Sequence, residues 1–153
     1  MCNQNGPILL VEDEDSDVEL FKRSMKKAGL GQPVVAVHDG DEALEYLQGS
    51  GRHEGRAAYA RPSMIVLDIK MPRRSGFEVL NWIRGRKDEL RHIPVMMLSS
   101  SNMGKDVMAA YEAGANAFVA KPATSAEYAR MAGAFAAFWM RYNEQASCPR
   151  MIA

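Results

Sequence analysis

The sequence is poor in cysteine, in net charge and in long apolar runs, and each shortage removes a class of function. Cysteine occurs twice, at Cys2 and Cys148 near opposite ends, with no second thiol close by. Neither a zinc motif nor a redox pair is expected, and both read as free thiols. The 19 basic and 19 acidic side chains cancel, so nothing in the charge balance points to nucleic acid or to an anionic membrane surface. No apolar run approaches the ~20 residues that span a bilayer, and the start Met1-Cys2-Asn3-Gln4 has no basic and apolar leader. The expectation is a cytoplasmic protein with no membrane or nucleic-acid partner. Its 153 residues suit one compact domain, expected over residues 7–142, followed by a polar tail over 143–153 and no output domain.

What is present is a rhythm. Five short apolar runs recur, Ile8 to Val11, Val34 to Val37, Met64 to Leu67, Val95 to Leu98 and Ala117 to Ala120. Continuous rather than alternating apolar runs mark parallel strands covered on both faces. Helical patterns lie between them. Val18, Phe21, Met25 and Ala28 form the first apolar face, with Ser16 as a cap and Gly29 or Gly31 as its end. The second runs from about Asp41 to Gln48 behind Asp39 and Glu42, with Ala43, Leu44 and Leu47 inward. A third starts near Gly76 with Phe77, Leu80 and Ile83 facing the sheet, and a fourth lies between Ser101 and Gly114. The fifth is capped by Thr124 with Glu127 and continues in a stripe of Tyr128, Met131, Phe135, Phe138 and Tyr142. The segment Gly49 to Arg61 has no periodicity and reads as an extended surface loop. Strand and helix alternating five times predicts an α/β fold with a doubly wound, five-stranded parallel sheet.

The residue after each run carries the chemistry. Strand one ends in Glu12 and Asp13, strand three in Asp68, strand four in Ser99, and strand five in Lys121 followed by Pro122. Any one alone is an ordinary polar strand end. Together they fall on the edge where open parallel sheets bind ligands, outside the carboxyl ends of the strands. Three carboxylates held close together repel one another unless a cation compensates, and Mg2+ joins carboxylates to phosphate oxygens. Asp13 and Asp68 are expected to bind it directly, Glu12 directly or through water, and the main-chain carbonyl of Lys70 as a further ligand. A phosphorylated carboxylate fits the other groups. Asp68 is the expected nucleophile, Lys121 meets a phosphoryl oxygen with its ammonium, and Ser99 donates a hydroxyl hydrogen bond.

In order, the segments Ile8 to Asp15 (ILLVEDED), Ile65 to Pro72 (IVLDIKMP), Ser75 to Leu80 (SGFEVL), Ile93 to Ser101 (IPVMMLSSS) and Ala113 to Pro122 (AGANAFVAKP) resemble the receiver domain of bacterial response regulators. The likeness covers roughly Pro7 to Arg141. It implies the flavodoxin-like receiver fold with strand order 2-1-3-4-5, and phosphotransfer from the histidine of a sensor kinase to Asp68 with magnesium. Ser99 and Phe118 match the family's coupled hydroxyl and aromatic switch positions. The loop before strand three and the Phe138-Trp139 ending resemble single-domain regulators that partner phytochrome-type histidine kinases, which makes a bacteriophytochrome the expected partner. Three positions depart from the common pattern. Phe118 replaces Tyr and loses the phenolic hydrogen bond; Ser99 replaces Thr and loses a methyl. Lys70, two residues past Asp68, either weakens magnesium binding or stabilises the phosphate.

Other functions on this fold meet specific obstacles. An aspartyl-phosphate phosphohydrolase needs an acid-base carboxylate where Lys70 stands. The Gly49-Ser50-Gly51 and Gly104-Lys105 fragments lack phosphate-loop spacing. A flavin-type cofactor binder rests on topology alone, and a degenerate receiver conflicts with the intact acidic and basic residues. The expected output is changed protein contacts or homodimerisation through helix four, strand five and helix five, or through the C-terminal region, where Met131, Ala132, Phe135, Phe138, Trp139 and Tyr142 cluster.

Overall fold

In the computed structural model, which describes residues 6–55, 61–101 and 103–144, five parallel strands form one sheet in the order β2-β1-β3-β4-β5. The strands are β1 (Ile8–Val11), β2 (Val34–Val37), β3 (Met64–Leu67), β4 (Val95–Ser99) and β5 (Ala117–Ala120). The helices are α1 (Asp15–Lys27), α2 (Gly40–Gln48), α3 (Gly76–Gly85), α4 (Gly104–Glu112) and α5 (Ser125–Ala137). Cys2, Cys148 and tail residues 145–153 lie outside the described residues.

Successive strand residues point to opposite faces, so each continuous apolar run serves two cores. Leu9, Val11, Ile65, Leu67, Val95 and Met97 pack with Ala43 and Tyr46 of α2, Val79, Leu80 and Ile83 of α3 and Ala110 of α4. Ile8, Leu10, Met64, Val66, Met96 and Leu98 pack with Val18, Phe21 and Met25 of α1 and Tyr128, Ala132 and Ala136 of α5. The three central strands are buried along their length, whereas edge strands β2 and β5 are only partly covered. The chain leaves β1 for β2 on one side and reaches β3 on the other. That reversal opens the crevice above the carboxyl ends of β1 and β3.

Three local expectations change, and one alternative, the end of α1, is decided. α1 starts at Asp15 behind Glu14, so Ser16 lies inside its first turn and is not the cap; Asp15 and Asp17 there oppose the positive end of the helix dipole. Its end falls at Gly29, with φ of +90°, not at Gly31. Asp39 caps α2 by accepting the Glu42 N–H at 2.7 Å, but the Glu42 carboxylate accepts from the N–H of His38, one residue earlier than a reciprocal box requires. The Gly49 to Arg61 segment is not simply extended: Gly51–His53 forms a tight turn, and the His53 ring meets Tyr46 edge-on at 5.1 Å. Residues 56–60 of that segment lie outside the described residues.

The largest difference is in the last helix. After Ala137 the backbone widens over Phe138–Tyr142, and the N–H of Asn143 reaches the carbonyl of Phe138 five residues back. The inward stripe is Tyr128, Ala132, Ala136 and Trp139, at ordinary helical spacing, while Phe138 is 58% and Tyr142 74% exposed. Trp139 donates its indole N–H to the Gln32 side-chain oxygen at 3.1 Å.

Candidate functional site

Hydrogen bonds that continue the sheet ladder one step beyond the strands position the polar residues. The N–H of Glu12 donates to Val37 O at 3.0 Å, that of Asp68 to Val11 O at 3.2 Å, and that of Lys121 to Ser99 O at 2.8 Å. Glu12, Asp68 and Ser99 are buried and Asp13 is exposed, so the group lies at the floor of the crevice with one carboxylate at its rim. Oxygens of Glu12, Asp13 and Asp68 lie within 4.8 Å of one another, a set able to hold a metal ion.

Lys121 joins the group. Its Nζ lies 2.6 Å from Glu12 Oε2, 2.9 Å from Asp17 Oδ2 and 3.0 Å from Asp68 Oδ2. Burial opposes its charge, but the hydrogen bonds it donates to Glu12, Asp17 and Asp68 outweigh that and hold its pKa above the usual lysine value. Burial also pushes Glu12 up to about 7, and the charge of Asp68 adds to the shift against hydrogen bonds from Lys121 and the Glu14 N–H. Three carboxylates share one ammonium and Asp13 adds a fourth negative charge beside them, so the cluster carries excess negative charge and favours a cation. All-oxygen donors at this charge suit a hard divalent ion.

The other expected residues occupy the surroundings. The N–H of Lys70 donates to Asp68 Oδ1 at 3.3 Å, which sets its main chain beside the carboxylate while its side chain is exposed. The Ser99 hydroxyl oxygen accepts the Ser101 N–H at 3.2 Å, a role that leaves its hydrogen for another acceptor. Phe118 sits opposite Met97 in the sheet, two residues before the Ser99–Ala120 pair, and packs against the α2–α4 core.

Three contributors escaped the sequence reading. Asp17 reaches Lys121 from the first turn of α1, one helical turn after Asp13; the acidic run from Glu12 to Asp17 was the available signal. Gly76 lets α3 start against β3: a Cβ there would lie 2.1 Å from the carbonyl oxygen of Asp68. The Ser101 hydroxyl bonds the Asp106 carboxylate and ties the loop after Ser99 to α4.

Comparison with known proteins agrees with this geometry. The model of the response regulator receiver domain matches residues 8–132. Response regulator Rcp1 of Synechocystis is 32% identical over 143 residues, 92% of this chain and 95% of Rcp1. The crystal structure of the Mn(2+)-bound form of Rcp1 superposes with a TM-score of 0.83 at 30% identity, covering 93% of this chain and 99% of that one. The phosphorylated cyanobacterial phytochrome response regulator RcpA gives a TM-score of 0.84 at 30% identity, over 94% and 99% of the two chains. The bacteriophytochrome response regulator AtBRR is 42% identical, with a TM-score of 0.70 over 84% of this chain and 92% of its own. Among the described residues no helix is long and apolar enough to cross a membrane. A strand-end acidic group beside a lysine, on a sheet ordered 2-1-3-4-5 and matched along most of its length, makes this chain a member of the response regulator receiver family.

Proposed function

We propose that this protein accepts a phosphoryl group on Asp68 from the phosphohistidine of a sensor histidine kinase and signals through changed protein contacts. The observation that carries this is the Lys121 ammonium bonded to both Glu12 and Asp68 in the buried crevice. In the transfer an Asp68 oxygen attacks phosphorus while the bond to the donor imidazole breaks. The bonding electrons stay with the departing nitrogen. Lys121 and the Ser99 hydroxyl meet the charge on the transferring oxygens.

The donor set fits magnesium, held by Asp13 and Asp68, by Glu12 directly or through water, and by the main-chain carbonyl of Lys70. When bound, the ion neutralises carboxylate and phosphoryl charge. The protein acts as a phosphoacceptor and not as a turnover enzyme, since Lys70 replaces the carboxylate a phosphohydrolase needs.

Output runs through the Ser99 hydroxyl, drawn toward the phosphoryl group, and Phe118, whose ring enters the vacated space. Exposed Met103, Met108 and Tyr111 along α4, and Phe138, Met140 and Tyr142 after α5, support a homodimer or partner surface there. Likeness to phytochrome response regulators supports a bacteriophytochrome-type kinase as donor and a cytoplasmic receiver unit over residues 7–142. The test is incubation with magnesium and acetyl phosphate. A single phosphoryl mass on wild type and none on Asp68→Asn supports the reading; identical spectra reject it.

A further inference from the structure

A lysine ammonium has three N–H donors, and in Lys121 each has a carboxylate, on Glu12, Asp17 and Asp68. The three acceptors reach it from different parts of the fold. Glu12 and Asp68 follow adjacent strands on the crevice floor, whereas Asp17 comes from α1.

They also differ in what else they do. Glu12 and Asp68 belong to the group whose oxygens can share a metal ion, together with Asp13; Asp17 is not in that group. A cation there draws on two of the carboxylates that hold Lys121, and phosphorylation turns the Asp68 carboxylate into an acyl phosphate. Both events loosen the lysine when its ammonium must face the phosphoryl oxygens. Asp17 is the one acceptor that neither event claims. Its side chain is 37% exposed against 3% for Glu12, so it holds the ammonium from the solvent side of the crevice.

The geometry points to Asp17 as a positioning residue for phosphoryl transfer: its hydrogen bond keeps the Lys121 ammonium aimed into the crevice while the metal and the phosphoryl group occupy Glu12 and Asp68. The inference rests on Asp68 being the phosphoacceptor. Loss of one charge-assisted hydrogen bond to a group needed in the transition state is expected to slow the reaction by about tenfold.

The test uses Asp17→Ala and Asp17→Asn in the full chain. Alanine suits a helix interior and leaves α1 intact; asparagine keeps an oxygen acceptor and drops the charge. Rates with acetyl phosphate and magnesium should fall about tenfold in Asp17→Ala and recover to within about threefold of wild type in Asp17→Asn. Magnesium affinity, measured by calorimetry, should change less than about threefold, because Asp17 is not a ligand. Without metal or phosphodonor, acetylation of Lys121 by acetic anhydride, followed by peptide mass spectrometry, should quicken several-fold in Asp17→Ala against exposed Lys105 as reference.

An Asp17→Ala protein with wild-type rate and wild-type Lys121 reactivity would overturn the inference and leave the Asp68 reading standing. Equal slowing in both variants would overturn positioning in favour of a pure charge effect. Failure of wild type to take up phosphate would instead remove the Asp68 reading, with the acetylation arm still reporting on the anchor.

Discussion

The main-chain N–H of Lys121 donates to the carbonyl of Ser99 at 2.8 Å, one step beyond the last paired residues of β4 and β5. The hydroxyl of one residue and the ammonium of the other are therefore set by the sheet ladder, and loop motion does not separate their backbones. Substitution of either side chain should leave the partner in place.

Ser99→Ala tests that independence. Ser99 is fully buried, and its oxygen accepts the Ser101 N–H, so the variant should lose about 1 kcal/mol of stability in urea denaturation. Phosphorylation by acetyl phosphate should slow but persist, because Lys121 still meets the phosphoryl group. Lys121→Ala should lose more than tenfold in rate, since among the described residues no other cation is bonded to Asp68.

Glu12 predicts a pH dependence. Burial raises its pKa to about 7 in the folded protein from an ordinary value of 4.5. Between those values the folded state binds the extra proton, so the Glu12 contribution to stability is complete below pH 4.5 and is lost as pH rises through 7. The loss is at most about 3 kcal/mol. Thermal melts of metal-free protein should show Tm falling from pH 5.5 to pH 8. Magnesium replaces the proton, so it should raise Tm more at pH 8 than at pH 5.5, with proton release on binding near neutral pH.

The parts legible in the sequence were those that a parallel sheet makes obligatory. Continuous apolar runs announced all five strands, and the polar residue ending a run had to lie at the carboxyl edge, which is why Glu12 and Asp13 after β1, Asp68 after β3 and Lys121 after β5 could be grouped before any coordinates. Asp17 could not be joined to Lys121 that way. Their contact depends on how the first turn of α1 tilts over the sheet, and an acidic residue in a first turn is equally well explained by the helix dipole. Phe138 was misplaced because the stripe was traced through the large side chains Met131 and Phe135, whereas the face that meets the sheet runs through Tyr128 and the small Ala132 and Ala136, which carry little apolar signal. Gly76 read as a helix start, but its need for glycine comes from the carbonyl of Asp68, eight residues away.

That close approach makes Gly76→Ala a sharp test. The added Cβ would lie 2.1 Å from Asp68 O and 2.9 Å from Ile69 Cα, both backbone atoms that cannot swing aside. The variant should lose about 3 kcal/mol in denaturant titration and bind magnesium more weakly, since α3 must back away from Asp68. Gly85→Ala, at the other end of α3 with nothing within 4 Å, should be neutral or slightly stabilising.

Two neighbouring aromatics after α5 fall on different sides of the helix and take different roles. Trp139 is buried, stacks on Phe135 with ring centroids 6.3 Å apart, and bonds Gln32, whose amide also reaches Gly6 O and the Ser63 hydroxyl. It closes the end of the sheet opposite the acidic group, so Trp139→Ala should cost about 3 to 5 kcal/mol. Phe138 is more than half exposed, and Phe138→Ala should stay within about 0.5 kcal/mol of wild type. If the exposed ring belongs to a self-association surface, sedimentation should show weaker dimerisation for Phe138→Ala at unchanged stability. A helix packed through Met131 and Phe135 would require the reverse ranking, with Phe138 the costly position and Trp139 the tolerant one, so denaturation midpoints of the two variants decide whether the face through Tyr128, Ala132 and Ala136 is the one that meets the sheet.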